Sequence, residues 1–141
     1  MIINTTYLDK EKKKNIQNIV GKQINILSLL MGKIRGSHRM IIEKYSLGFH
    51  KFINKSNSLL FGSVEIREKG IMIRIIIKNY ETISWLIPYY KLSIFKSKHL
   101  GFHSSGQFLK FRIDSNYRMN KKFLHQLIEK KNSQLQNLTY Q

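Results

Sequence analysis

Cysteine is absent from the 141 residues, so no disulfide, thiolate metal site or cysteine nucleophile is available, and a reducing compartment suits the chain. Acids are scarce. Eight Asp and Glu stand against 25 Lys and Arg, a formal charge of +17 that favours polyanionic partners and carries no information about fold. Long apolar runs are missing as well: Leu29–Met31 and Ile75–Ile77 fall far short of the roughly 20 residues that span a bilayer, so no transmembrane segment is expected. Residues 1–8 lack a basic stretch leading into an apolar one, and residues 9–14 are a charge run, so no secretory signal is expected and a cytoplasmic location is.

What the chain does contain is apolar mass. It has 21 Ile, eight Phe, seven Tyr and one Trp, enough to offset chain entropy in a single domain. A chain of this size buries roughly 68% of the surface its unfolded form exposes. The 21 Ile, 19 Lys and 11 Asn follow AT-rich codons, which accounts for part of the lysine. Glu codons tolerate the same bias, yet only six Glu accompany the 19 Lys, so an excess of positive charge remains.

From Thr6 to Arg35 the apolar residues Ile16, Val20, Ile24, Leu27, Met31 and Ile34 recur at helical spacing, predicting one helix capped at Thr6 and ended by Gly36, with Gly21 or Gly32 as points of bending. Its broad apolar face fits packing on its own domain, pairing with a second copy in a homodimer, or lying on a membrane surface. Residues 37–57 are the least readable stretch. They lean to a strand in which Ile41, Tyr45, Leu47 and Phe49 share a face.

After Ser58 the period becomes two. Leu60, Val64 and Ile66, a turn at Lys69 and Gly70, and then Ile71, Ile73, Ile75 and Ile77 predict a hairpin. A break at Asn79 to Glu81 precedes a strand placing Ile83, Trp85 and Ile87 on one face. Pro88, which has no N–H to donate, marks that strand's end before Tyr90, Leu92 and Ile94 resume the alternation. Strands over His99–His103 and Gln107–Ile113 meet at Ser104, Ser105 and Gly106. The expected total after Ser58 is five short antiparallel strands. A helix from Asn120 to Asn132, capped by Asn120 and striped by Phe123, Leu124, Leu127, Ile128 and Leu135, then leads into a polar tail. The expected class is α+β: an N-terminal helix in residues 1–36, an antiparallel meander closed by a helix in 37–132, and a tail in 133–141.

This meander closed by one helix resembles the pleckstrin-homology-like superfold, including its bacterial and GRAM-type versions. The resemblance spans Phe61 to Ile128 and centres on Trp85-Leu86-Ile87-Pro88-Tyr89-Tyr90-Lys91-Leu92, which is similar to an Ile-Pro-aromatic corner of such domains. The same block, with Phe61–Arg67 and Gly70-Ile71, resembles small uncharacterised bacterial proteins. The resemblance implies a barrel or strongly bent sheet and, by analogy, a role in binding headgroups, peptides or proteins.

Catalytic motifs are lacking. No Gly-x-Ser-x-Gly elbow, Walker loop or Gly-x-Gly-x-x-Gly occurs. Ser104 and Ser105 near His99 and His103 read as turn formers, and the two histidines lack a carboxylate neighbour for a metal site. Glu65 and Glu68 read as solvated. No catalytic residue, metal or cofactor is therefore expected. The informative asymmetry is electrostatic: residues 89–113 carry Lys91, Lys96, Lys98, Lys110 and Arg112 without an acid, whereas 58–88 carry four basic and three acidic residues. These five are the anion-binding candidates, expected on one surface interleaved with Tyr89, Tyr90, Phe95 and Phe102, half of which belong to the core. The expected function is a basic binding or scaffolding module for an anionic partner, nucleic acid or phosphate-bearing headgroup, or for a protein. The alternative is an RNA- or ribosome-associated protein.

Overall fold

Alternation along the isoleucine-rich strands gives them two unlike sides, and a computed structural model, which describes residues 1–53, 59–77 and 81–139, arranges them as an α+β chain around one antiparallel sheet. In chain order the elements are β1 (Ile2–Asn4), α1 (Lys10–Val20), α2 (Ile26–Leu30), β2 (Met40–Tyr45), β3 (Leu60–Ile66), β4 (Gly70–Ile77), β5 (Glu81–Pro88), β6 (Ser93–Lys96), β7 (His99–Ser104), β8 (Gln107–Arg112), α3 (Ser115–Arg118) and α4 (Lys121–Thr139). Strand order is β1-β5-β4-β3-β2-β8-β7-β6. Two meanders, β2 to β5 and β6 to β8, are thus joined through the long-range β2–β8 pairing. The edge strands β1 and β6 do not pair with each other, so the sheet is open and not a closed barrel.

The inner side of the sheet carries the core. Ile71, Ile73 and Ile75 of β4, Ile83, Trp85 and Ile87 of β5, Leu100 and Phe102 of β7, and Leu109 and Phe111 of β8 are all buried there. Phe49, in a 3-10 turn after β2, meets the Trp85 ring edge-on at 5.2 Å between centroids. Phe123, Leu124 and Leu127 of α4 join this core. Gln126 on α4 accepts from the Ile34 N–H and donates to its carbonyl, at 2.9 and 3.0 Å, which fastens the helix to the segment leading into β2.

The outer side is covered over only part of its width. Ile16 and Val20 of α1 pack on Met72 of β4 and Leu86 of β5, forming a second, smaller cluster. Nothing comparable covers the outer side of β2, β8, β7 and β6 among the described residues. Among those residues, also, no helix is long and apolar enough to cross a membrane.

Several expectations change. The single helix over Thr6–Arg35 is two helices, because Gly21 takes φ +82° at the end of α1, a conformation favourable to glycine, and Asn25 caps α2 by accepting from the Ser28 N–H at 2.8 Å. Asp9, not Thr6, caps α1, accepting from the Lys12 N–H; Thr6 instead accepts from the Thr82 N–H of β5. Ile26, Leu27, Leu30 and Met31 are exposed rather than continuing the buried stripe. Within 37–57, β2 is a strand, but Leu47–Phe49 turn as a 3-10 helix, and residues 54–57 lie outside the described residues. Of the break expected at 79–81, residues 79 and 80 lie outside the described residues, and β5 begins at Glu81. Six strands follow Ser58, not five, since a 3-10 turn at Tyr89–Lys91 separates β5 from β6. Asn120 does not cap α4 with its side chain, which instead accepts from the His38 N–H and donates to the His38 carbonyl. Ile128 is 45% exposed, and the helix continues to Thr139 where a tail was expected.

Glu65 is the sharpest correction among the charged residues. It is buried, not solvated, because β3 turns it toward Arg67 and Arg74, whose guanidinium groups donate to its Oε2 at 2.8 and 3.3 Å, while Gln23 donates to Oε1 at 3.2 Å. Glu65→Gln keeps the shape but removes the charge that pairs a buried Arg67. Urea unfolding should show a loss of about 1–3 kcal/mol.

Tyr89, buried beneath the β5–β6 corner, donates its O–H to the Arg67 carbonyl at 2.6 Å, and burial pushes its phenol well above the ordinary tyrosine range. Above about pH 10 the unfolded chain sheds this proton while the folded chain keeps it, so the contribution is complete below that pH and is lost as pH rises. Denaturation midpoints followed through the alkaline range should fall, and Tyr89→Phe should flatten that fall.

Candidate functional site

The uncovered part of the outer face is ordered by strand register into rows. In β7 and β8 the inward residues Leu100, Phe102, Leu109 and Phe111 leave His99, Gly101, His103, Phe108, Lys110 and Arg112 pointing outward, as the two-residue period requires. One row runs Phe95 (β6), Gly101 (β7), Lys110 (β8) and Lys44 (β2), since Phe95 pairs Gly101, Gly101 pairs Lys110, and Lys110 pairs Lys44. The next runs Ser93, His103 and Phe108. A third sets His99 opposite Arg112.

The first two rows make an aromatic strip. The Phe95 ring, 59% exposed, lies 5.3 Å from that of His103, edge-on, and His103 lies 5.9 Å from Phe108. Gly101 makes room for this: a Cβ there would meet His103 Nε2 at 3.0 Å, so the imidazole leans over a position that cannot hold a side chain without displacing it. Lys110 Nζ sits 5.3 Å from the centre of the Phe108 ring, a cation held over a π face.

Charge on this face is unbalanced. Arg112 pairs with Glu43 through a hydrogen bond from its Nε. Lys44 and Lys110 stand directly opposite each other on adjacent strands, and neither has an ion-pair partner among the described residues. Like charges so placed are destabilising by a few tenths to about 1 kcal/mol, which an anion lying between them would relieve.

The five sequence candidates do not form one surface. Lys110 and Arg112 are on this face. Lys91 lies in the turn after β5 and borders it, lining a shallow hollow of about 300 Å³ with Ser93, His103, Gly106 and Phe108. Lys98 stands in the connection between β6 and β7. Lys96 pairs opposite inward Leu100 and puts its Nζ 5.3 Å over the ring of buried Tyr117, so it belongs to the other side of the sheet. Alternation separates it from Phe95, its chain neighbour. Of the four interleaved aromatics, Tyr89 and Phe102 are buried and Tyr90 and Phe95 exposed.

Lys44, His103 and Phe108 went unassigned as partners of the basic residues. Phe108 had a legible signal, since it alternates in phase with Lys110 and Arg112. Lys44 had none, because its place depends on β2 pairing with a strand far along the chain. Ser104, buried, points to the opposite side of β7 from His103, so the two do not form a nucleophile and its base. Among the described residues, no three His, Asp or Glu side chains gather as a metal site would require. In comparisons with protein-family models, curated proteins and solved structures, the chain matches none.

Proposed function

We propose that the chain is a non-catalytic binding module that takes single-stranded nucleic acid on the open outer face of β6, β7, β8 and β2. The observation that carries this is the Phe95–His103–Phe108 strip, exposed at Phe95 and half-buried at the other two, set beside two unpaired, facing lysines, Lys44 and Lys110. Bases stack on aromatic faces whatever their identity, and phosphates between the bases meet the cations. A duplex keeps its bases stacked on each other and has no use for the strip. The charge of +17 adds long-range attraction and a steep salt dependence.

The order β5-β4-β3-β2-β8-β7-β6 followed by α4 supports the pleckstrin-homology-like reading of the scaffold, with β1 added at one edge and α1 laid across the outer side. On this reading the N-terminal elements restrict the outer face, leaving only its β2–β8–β7–β6 part to a ligand.

Fluorescence anisotropy with a labelled oligouridylate, and with a duplex of equal length, tests the proposal. Tighter binding of the single strand, persisting as salt is raised, is the expected result. Equal binding of both that vanishes together with rising salt would mean charge attraction alone and would overturn the stacking role.

A further inference from the structure

Beside β1 and the end of β5 lies a groove of about 860 Å³, within the range of small-molecule sites. It meets the hollow beside the aromatic strip at Lys91, Ser104, Ser105 and Gln107 but includes none of Phe95, His103 and Phe108. Its walls include Lys51 and Phe52 after β2, Lys69 of the β3–β4 turn, and Trp85, Tyr90 and Lys91 of β5 and the corner after it, with β1, α1, the β7–β8 turn and α4 completing them. Two features point to the chemistry of an occupant.

The first is charge. Lys51, Lys69 and Lys91 all line the groove, no Asp or Glu does, and none of the three has an ion-pair partner among the described residues. Two of them rest on aromatic rings instead, Lys51 Nζ 5.1 Å from the centre of Phe52 and Lys91 Nζ 5.6 Å from that of Tyr90. The second is the floor. Trp85, only 2% exposed, and half-buried Phe52 line it, so the groove offers an apolar aromatic wall beside the lysines.

We infer that this groove binds a single-chain amphiphilic anion, its apolar chain lying along Phe52 and Trp85 and its carboxylate or phosphate head held by Lys51 and Lys69. A neutral amphiphile would leave the lysines unmatched.

Trp85 is the only tryptophan, so its fluorescence reports on the groove directly. The full chain should be titrated with dodecanoate, with dodecyl phosphate and with neutral dodecyl maltoside, each below its micelle concentration. A saturable change in Trp85 emission with one or both anions, at least ten-fold tighter than with the maltoside, is expected; which anion binds tighter identifies the head group. The double variant Lys51→Glu/Lys69→Glu, both exposed residues whose change should leave the melting temperature in place, should weaken binding ten-fold or more. Lys44→Glu/Lys110→Glu, on the sheet face, should leave it unchanged, which separates this proposal from the nucleic-acid one. No saturable response to either anion, equal affinity for the maltoside, or undiminished binding by the Lys51/Lys69 variant would overturn the inference.

Discussion

Trp85→Ala should cost about 3–5 kcal/mol, the range for removing a large aromatic from a core that cannot collapse around the loss. The indole is 2% exposed, stands between Ile83 and Ile87 on the inward side of β5, and takes the edge of the Phe49 ring at 5.2 Å. Phe49 in turn fixes the 3-10 turn after β2, so the truncation loosens both β5 and the start of the connection toward β3. Thermal melting should fall by on the order of 10 °C or more. A variant melting within a degree or two of the parent would remove Trp85 from the core and place it at an interface.

Reversing the two facing lysines should act in opposite directions on stability and on binding. Lys44→Glu alone replaces a cross-strand repulsion with an attraction to Lys110, so the fold should gain about 0.2–1 kcal/mol. The same change should weaken binding of a single-stranded oligonucleotide. Lys44→Glu/Lys110→Glu should weaken it by on the order of a hundred-fold at low salt and reduce the slope of log affinity against log salt by about 1.4, since each single-strand phosphate contact contributes about 0.7. Lys96→Glu/Lys98→Glu removes the same formal charge away from the strip and should have a clearly smaller effect. Equal losses from both pairs would show that only net charge matters. Phe95→Ala should cost about 1–3 kcal/mol of binding if a base stacks there.

Local pattern and long-range pairing divide what was legible in this chain. Period-two alternation located the β3–β4 hairpin and the inward set Ile83, Trp85 and Ile87, because each strand's sides are decided by its own residues. The hairpin at Ser104–Gly106 was also legible: Ser105 and Gly106 both take positive φ, 50° and 78°, as a two-residue turn between right-twisted strands requires. Helical spacing alone overran Gly21, where the choice of a left-handed backbone is settled by Lys69 donating its N–H to the Val20 carbonyl and by the Arg67 guanidinium reaching the Gly21 carbonyl.

The site was legible only in part for the same reason. Counting charge along residues 89–113 found Lys110 and Arg112 but also took in Lys96, which a single step along β6 sends to the other side of the sheet. Glu65 looked solvated because its partners Arg67, Arg74 and Gln23 come together only when β3, β4 and the segment after α1 meet. The basic composition raised the expectation of an anionic partner. Register, supplied by β2 pairing with β8, sets Lys44 beside Lys110 on the proposed face.

Photo-crosslinking of the full chain to a single-stranded oligonucleotide bearing 4-thiouridine, followed by mass spectrometry of the joined peptides, tests that assignment most directly. Crosslinks concentrated on Phe95, His103 and Phe108 are predicted, and they should disappear in Lys44→Glu/Lys110→Glu. Crosslinks spread over the lysines of α1 and α4, with none on β6, β7 or β8, would contradict it.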